Sequence, residues 1–308
     1  DKNVSYERAV EIREQLTLDI AELMKEAERA DQSDGDPQRL PEEIGRREKL
    51  VAKMDGAIEE LKQRAEKQEE KAREDYREKL ERRKRSTEET GKKPTGREPK
   101  EPRVKAEESK QQCNLSDPES RVMRKNLRSG YTQSYNAQAG VDTEGSQLIV
   151  GNRISQSAGD RAELEPGVEC IDERTGKPCS VSTDAGYVNG DMIERVQTGA
   201  GVEVYCSVHR EDAHGERHYD YRPKKKAERK PRAVKDRRIM AMGEKLKTDE
   251  GKEIYSRRNH TVETAFGIIK EVMGFRNFLL RGFGKVSGEW ELVCLSYNLK
   301  RLHNLTGA

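Results

Sequence analysis

The chain has 308 residues, of which 32% are hydrophobic and 38% are charged. Since an average globular chain is about 25% charged, a large part of this one must be solvated rather than packed in a core. No stretch approaches roughly 18 apolar residues in a row, and no signal peptide is visible, which excludes transmembrane and secreted proteins. We therefore expect a cytoplasmic protein with about two domains.

The 60 Lys and Arg residues nearly balance the 58 Asp and Glu residues, and the net charge is +2. A balanced total can hide local basic patches, which are the features that attract nucleic acid. The five cysteines form no Cys-x-x-Cys pair, so we predict reduced, mostly buried thiols rather than a zinc site or a disulfide framework. Because the first residue is Asp1 and not Met, we expect a further part of the protein upstream.

The first third of the sequence has the pattern of long amphipathic helices. Apolar residues recur at steps of three and four over residues 6–30 and again over residues 42–84, with a Gly- and Pro-containing break at 31–41. This pattern predicts a helical hairpin or coiled-coil arm over residues 1–84, or alternatively a solvated spacer without chemistry. Residues 85–112 are rich in Lys, Arg, Glu and Pro and predict a flexible basic linker.

From residue 113 onward the pattern changes to short strands that alternate with helices. Strand periodicity over 135–141 and a return strand over 147–154 predict a β-hairpin. The predicted elements that follow are a helix over 161–172, a strand that ends before Asp184, a helix over 189–198 and a strand over 201–208. This order predicts a mixed α/β sheet with helices on both faces, over residues 113–308.

Two aspartates stand at the ends of predicted strands. Asp142 follows the first strand of the hairpin, and Asp184 follows the strand that Pro178 precedes. The C-terminal ends of strands are where open α/β sheets bind ligands, so both carboxylates are candidate ligand holders. The alternative interpretation is that both residues only form turns. The two acids can lie side by side only if their strands are neighbours, which is a prediction about topology.

A third acid lies in a predicted helix over residues 253–274, which Gly274 ends. The predicted core stripe of this helix consists of Val262, Ala265, Ile268, Ile269 and Val272. Glu263 and Lys270 share the other face, where they are either functional or a solvated surface pair. Upstream on the same helix, Tyr255, Arg257 and Arg258 would place phosphate-binding groups near the third acid.

Two further segments allow alternative interpretations. Residues 209–248 are polar and contain the basic run Lys224, Lys225 and Lys226, so this insertion either follows DNA phosphates or is a solvated loop. Its three histidines match no metal-site spacing, and we interpret them as surface residues. In the predicted C-terminal helix over 287–302, we expect Trp290 and Leu302 to pack on the sheet, the alternative for Trp290 being stacking on DNA.

Four motifs, in the family's order, resemble the DDE transposases of bacterial insertion sequences. They are YNAQAGVD at 135–142, TDAGY at 183–187, VETAFG at 262–267 with Lys270, and GFRNFLLRG at 274–282. Each motif is weak alone, but four in order are specific, and the similarity covers about residues 113–308. The resemblance implies a ribonuclease-H-like fold in which Asp142, Asp184 and Glu263 bind two divalent metal ions.

The resemblance also implies a DNA-contacting signature around the third acid. Carried over by motif, it consists of Tyr255, Arg258, Glu263 and Lys270. The spacing between the arginine and Glu263 differs by one residue from a common version of the family. This difference leaves open whether Arg257 or Arg258 contacts phosphate.

On this resemblance we expect an insertion-sequence transposase that cleaves DNA phosphodiesters at transposon ends and transfers the strands into target DNA. The implied cofactor is a pair of Mg²⁺ ions, for which Mn²⁺ can substitute, because Mg²⁺ prefers carboxylate and phosphate oxygens. The implied partners are DNA and further copies of the chain, in a bacterial cytoplasm and bound to the nucleoid through DNA. Two alternatives stay open: a non-catalytic DNA-binding or coiled-coil scaffold, such as a decayed fragment, and a nuclease that does not join strands.

Overall fold

The computed structural model of the chain describes residues 3–30, 39–91, 97–103, 110–124, 130–208 and 236–307. The chain divides into two compact units, which are Asp1–Val122 and Met123–Ala308. The second unit begins later than the α/β domain that we predicted from residue 113. The residues that directly follow the predicted linker therefore belong to the first unit.

The first unit is built on an antiparallel pair of helices, α1 (Tyr6–Ala30) and α2 (Arg39–Thr90). Ion pairs between Arg13 and Asp55 (3.7 Å) and between Asp19 and Arg47 (3.9 Å) show that the two helices run in opposite directions. Their shared core contains the buried side chains of Ala9, Met54, Ala57, Ile58 and Leu61. The apolar periodicity thus produces a helical hairpin within one chain, while pairing with a second copy through these helices stays a prediction.

The segment predicted as a flexible linker has regular secondary structure at both ends. Helix α2 continues to Thr90, and the other end of the segment enters strand β2 (Gln112–Asn114), which pairs antiparallel with β1 (Asn3–Ser5). Buried Arg64 of α2 donates hydrogen bonds to the carbonyl oxygens of Gln112 (3.1 Å) and Pro118, and pairs with Glu60 at 2.8 Å. The arginine therefore fixes the chain after the linker onto α2.

The second unit has the predicted mixed α/β architecture, but its strands do not form one sheet. In the described residues the strands pair two by two: β3 (Arg121–Arg124), within which the boundary between the units falls, with β4 (Tyr131–Ser134), β5 (Asn136–Val141) with β6 (Ile149–Ser155), and β7 (Ser180–Thr183) with β8 (Glu203–Cys206). The β5–β6 pair is antiparallel and the β7–β8 pair is parallel. The prediction of a single mixed sheet is therefore wrong for this structure, because a cavity lined by both β5 and β7 takes the place of a ladder between them.

The part of this unit that the structure describes has five α-helices: α3 (Leu164–Glu169), α4 (Gly190–Arg195), α5 (Arg237–Lys245), α6 (Asp249–Gly267) and α7 (Phe283–Thr306). Thr248 caps α6 by accepting a hydrogen bond from the Gly251 amide at 3.0 Å. As predicted, the helical segment ends at Gly274, whose φ of 72° lies in the left-handed region. None of the described helices combines the length and the apolar character that crossing a membrane requires.

The main core of the second unit lies between the β5–β6 hairpin, α6 and α7. Trp290 is 2% exposed, stacks on Phe266 with ring centroids 6.0 Å apart, and donates from Nε1 to the Gln138 carbonyl oxygen at 3.0 Å. The predicted packing role of Trp290 is therefore confirmed. Leu302, which we also expected to pack, is 43% exposed because it lies on the opposite face of α7.

Only part of the predicted core stripe of α6 is buried. Ala265 and Ile269 are buried, whereas Val272 is 61% exposed. The helix continues into a π-helical turn over Ile268–Val272, and a π turn contains more residues than an α turn. The extra residue rotates the positions after Ile269, so that Val272 leaves the buried face.

We expect replacement of Trp290 by alanine to lower the free energy of unfolding by about 3–5 kcal/mol, because a buried aromatic ring and its hydrogen bond are both lost. Chemical denaturation of the full chain measures this change. The matched control is Leu279→Ala, whose side chain is 84% exposed and should change stability by less than about 0.5 kcal/mol. Equal effects of the two substitutions would contradict the described core.

Candidate active site

A cavity of about 770 Å³ lies between the strands that carry the predicted aspartates. Its walls come from β5 and the turn after it, from β7, from the region of α3, and from one face of α6. Five acidic residues of the described chain line it: Asp142, Glu144, Asp160, Glu163 and Asp184. The cavity is therefore the place where the described structure gathers negative charge around a space that a ligand could enter.

Asp142 directly follows β5 and closes the hairpin turn. Its carboxylate accepts hydrogen bonds from the amides of Glu144 (3.0 Å) and Ser146 (3.2 Å) and from the Ser146 hydroxyl. Burial raises the pKa of Asp142, but the hydrogen bonds from Ser146 and from the turn amides outweigh it, so that the pKa is lowered. Asp142 is thus ionised and is a turn former as well as a cavity residue.

Asp184 follows β7 and is exposed at the cavity wall. Its Oδ1 accepts a hydrogen bond from the Gly186 amide at 2.7 Å and so caps the short 3₁₀ helix Ala185–Tyr187. A Cβ atom on Gly186 would lie 2.8 Å from Asp184 Oδ1 and 3.4 Å from Asp160 Oδ2. Glycine at this position therefore allows the carboxylates of Asp184 and Asp160 to approach from two sides.

A side-chain network connects β5 with the loop that carries Asp184. Asp160 Oδ1 accepts hydrogen bonds from the amide groups of Asn136 and Gln138, both at 2.8 Å, and the Tyr187 hydroxyl donates to Gln138 Oε1. Burial, followed by the charges of Asp160, Asp184 and Glu163, raises the pKa of Tyr187. The phenol therefore keeps its proton and acts as the donor that holds the loop to β5.

The sequence analysis did not single out this network. Three of its members lie inside two of the motifs that carry the family resemblance: Asn136, Gln138 and Tyr187. Their place in these motifs is the sequence signal that could have identified them. Asp160 lies outside all four motifs, so nothing local marked it. Its partners come from β5, which is distant in sequence, and only the folded chain brings them together.

The buried charge of Glu163 is balanced by residues of the neighbouring hairpin, and its role is structural. It is 5% exposed, forms an ion pair with Arg153, and accepts a hydrogen bond from the Ser155 hydroxyl at 2.7 Å. Both partners lie on β6. The charge is therefore compensated locally, as buried carboxylates require, and Glu163 anchors the start of α3 to the hairpin.

Glu263, the third predicted acid, does not line the cavity. Helix α6 contacts β5, β7 and β8, and it turns Ile254, Arg258 and Val262 toward the cavity. Glu263 is exposed on a different face of the same helix. The described structure thus brings Asp142 and Asp184 to one cavity but does not add Glu263 to them.

This arrangement does not fit a pair of metal ions. Carboxylate oxygens are suitable ligands for Mg²⁺, but no three His, Cys, Asp or Glu side chains within the described ranges form a group that could hold an ion. The Asp142 carboxylate is in addition engaged by its own turn. The described geometry therefore supports no catalytic step through a bound metal.

The predicted DNA-contacting residues take different positions. The Arg258 guanidinium lies 5.3 Å from the centroid of the Tyr255 ring and lines the cavity. Arg257 lies on the exposed side and pairs with Glu253 at 2.7 Å, while Lys270 is exposed and lies 5.4 Å from the Phe266 ring centroid. The run Lys224, Lys225 and Lys226 lies outside the described residues, as do the three histidines of the same insertion.

Strand-end carboxylates around a cavity, with an arginine-bearing helix as one wall, are typical of an α/β ligand-binding or enzyme domain. The family model described as transposase DDE domain matches residues 103–299, which include all three predicted acids. The chain belongs to this family, as the resemblance in its motifs predicted. No curated protein and no solved structure matches the chain. Family membership supports a transposase-type enzyme with DNA as its substrate.

We expect Ser146→Ala to raise the pKa of Asp142, because the variant loses the hydroxyl donor that stabilises the ionised form. Since the folded pKa lies below the unfolded value of about 3.9, the ionised carboxylate stabilises the fold above that value, and this stability is lost as pH falls through the folded pKa. In the variant the stabilisation is smaller and its loss is complete at a higher pH.

An NMR titration of the Asp142 carboxyl group, together with unfolding free energies at several pH values, measures both effects. The control is Ser296→Ala, in which the lost hydroxyl donates to the Leu292 carbonyl oxygen of its own helix and not to Asp142. An unchanged pKa of Asp142 in Ser146→Ala would show that the turn does not hold this carboxylate.

Proposed function

We propose that this chain is an insertion-sequence transposase that cleaves DNA phosphodiesters at transposon ends and joins the freed strands to target DNA. The observation that carries the proposal is the transposase DDE domain match over residues 103–299. The match covers the strand-end aspartates, the cavity they line, and helix α6. The proposed substrate is therefore a DNA backbone that enters this cavity.

The proposed catalytic acids are Asp142, Asp184 and Glu263. The placement of Asp142 and Asp184 on the walls of one cavity supports two members of this set. For Glu263 to join them, α6 has to rotate or shift, because its cavity-facing side now carries Arg258 and Val262. Mg²⁺, with Mn²⁺ as a substitute, belongs to the proposal on the ground of the family alone, as does the ribonuclease-H-like fold.

The proposed DNA contacts are electrostatic. Arg258 on the cavity wall is better placed than Arg257 to reach a phosphate in the cavity, because Arg257 points away and is paired with Glu253. Tyr255 supports the Arg258 guanidinium, and Lys270 offers an exposed charge on the next turns of the helical segment. Such contacts give affinity that falls with salt and carries little sequence information.

One observation favours an alternative. Since no group of three metal-binding side chains occurs in the described residues, the chain could retain the family's fold and DNA binding without its catalysis. Such a protein would be a DNA-binding scaffold or a decayed transposase. A nuclease of the same family that cuts without joining is the third possibility, and the products of one reaction separate the three.

We expect the full chain to nick a plasmid that carries the DNA flanking its own coding sequence, when Mg²⁺ or Mn²⁺ is added. Asp184→Asn should lower the nicking rate by at least about 100-fold, because it removes a proposed catalytic carboxylate. Gel electrophoresis measures nicked and joined products. The matched control is Asp249→Asn at the fully exposed start of α6, which should keep wild-type activity.

The products decide between the candidate functions. Joined strands single out a transposase, and nicking without joining indicates a nuclease. DNA binding without nicking by the wild-type chain supports the scaffold and contradicts the proposed enzyme. If Asp184→Asn nicks at the wild-type rate, Asp184 is not a catalytic residue.

We expect Arg258→Ala to weaken DNA binding and to reduce the slope of log affinity against log salt concentration by about one, because one phosphate contact is lost. Arg257→Ala should leave the slope close to that of the wild type. Fluorescence anisotropy of a labelled duplex from the same flanking DNA, measured over a series of salt concentrations, gives both slopes. A larger change in Arg257→Ala than in Arg258→Ala would reverse the assignment.

A further inference from the structure

The fourth sequence motif, residues 274–282, lines no part of the cavity. It joins the π-helical turn Ile268–Val272 to helix α7 as a loop without regular secondary structure. A glycine with positive φ stands at each end, Gly274 at 72° and Gly282 at 87°. Loops that a rigid scaffold holds in place are where binding residues are often found. We call residues 274–282 the leucine loop.

Aromatic side chains fix the inner side of the leucine loop. The ring centroids of Phe275 and Phe278 lie 5.5 Å apart, and each lies 6.4 Å from the Trp290 ring. The Phe275 amide donates a hydrogen bond to the Ile269 carbonyl oxygen at 3.0 Å. Because these residues pack in the main core of the second unit, the loop is held as firmly as the core itself.

One carboxylate holds the backbone on the outer side of the loop. Glu289 of α7 accepts hydrogen bonds from the Leu279 amide at 2.9 Å and from the Leu280 amide at 3.0 Å. The side chains of the same two leucines are 84% and 48% exposed. Groups that are held in place before binding lose little conformational entropy when a partner covers them. The loop therefore presents an apolar pair that is ready for contact.

The surroundings of the leucine pair are basic. Arg281 and Lys285 follow it in sequence and are exposed, and the N-terminus of α7, which carries a partial positive charge, lies between them. The acidic residues of this part of the chain are engaged, Glu271 by Arg276 and Glu289 by the loop amides. An apolar pair beside positive charge is complementary to a DNA duplex, which has phosphates outside and stacked bases inside.

We propose that Leu279 and Leu280 form a wedge that enters bound DNA between two base pairs and bends it, while Arg281 and Lys285 hold the adjacent phosphates. Leucine is one of the side chains that proteins insert between base steps, and the insertion unstacks the bases and kinks the duplex by about 20–90°. This proposal rests on the proposed function in one respect, that DNA is the substrate. It adds an apolar contact to the bases, whereas the contacts proposed above reach phosphates only.

The leucine loop is close to the cavity in which the DNA backbone is proposed to bind. Phe266 lines the cavity and stacks on Trp290 at 6.0 Å, and Trp290 in turn contacts Phe278, the neighbour of Leu279. Two ring contacts thus separate the cavity wall from the loop, a short distance compared with the length of about 34 Å of one duplex turn. A kink at the wedge would lie within one helical turn of a backbone bound in the cavity.

The test measures the bending and the base unstacking of DNA without divalent metal, so that no strand is cut. The probes are duplexes from the DNA that flanks the coding sequence, with a dye at each end for energy transfer or with 2-aminopurine at successive positions. We expect the wild type to raise the energy transfer, and to raise the 2-aminopurine fluorescence at one base step. Leu279→Ala/Leu280→Ala should reduce both rises by at least about fivefold, because a methyl group is too short to separate two bases.

Salt dependence separates the wedge from a phosphate contact. Leu279→Ala/Leu280→Ala should weaken binding without changing the slope of log affinity against log salt concentration, whereas Arg281→Ala should reduce this slope by about one. Leu279→Met/Leu280→Met keeps an apolar wedge and should retain the bend. The matched control is Leu18→Ala/Leu50→Ala, which shortens two exposed leucines of the first unit and should leave the bend unchanged. Circular dichroism and thermal unfolding check that all variants are folded.

The outcomes distinguish a failure of the wedge from a failure of the proposed function. A wild type that does not bind the duplex overturns both. A wild type that binds DNA but leaves it straight and stacked overturns the wedge alone, and so does a bend that persists in Leu279→Ala/Leu280→Ala. If this variant instead loses self-association in DNA-free sedimentation while the bend stays unchanged, the leucine pair is a protein contact and the wedge is wrong.

Discussion

The buried side chain and carbonyl of Gln138 connect the elements on which the site depends. Its amide donates to Asp160, its Oε1 accepts from the Tyr187 hydroxyl, and its main-chain oxygen accepts from Trp290 Nε1. These bonds join strand β5, the loop after β7 and helix α7. Because a buried polar group without a partner is costly, the three elements must keep this arrangement together. The position of Asp184 relative to β5 is thus set by side chains and not by a strand ladder.

This way of joining the elements explains the shape of the candidate site. Strand β5 pairs with β6 and strand β7 pairs with β8, so the space between β5 and β7 stays open as the cavity. Both strand-end aspartates line its walls. Helix α6 covers the cavity with Arg258 and Val262, which keeps Glu263 outside. The described arrangement therefore differs from the one that the proposed catalysis requires in the face of α6 that meets the cavity.

Helices α6 and α7 also show how one helix serves two purposes. In α6, a π-helical turn changes the phase of the buried face and exposes Val272. In α7, one face carries Trp290 into the core, while Leu292, Leu295 and Leu299 are exposed on the opposite face. The core of the second unit needs only the first of these faces.

The sequence by itself determined the helices of the first unit, the strand-end positions of Asp142 and Asp184, and the family. Apolar periodicity and turn residues are local, and the four motifs are contiguous, so no distant contact is needed to recognise them. Only the tertiary structure decided which strands pair, which face of α6 Glu263 occupies, and that Asp160 joins Gln138 and Tyr187. It also decided that Leu302 is exposed although its helix is apolar on both sides. These outcomes depend on contacts between residues far apart in the chain, and local periodicity contains no information about which face meets which partner.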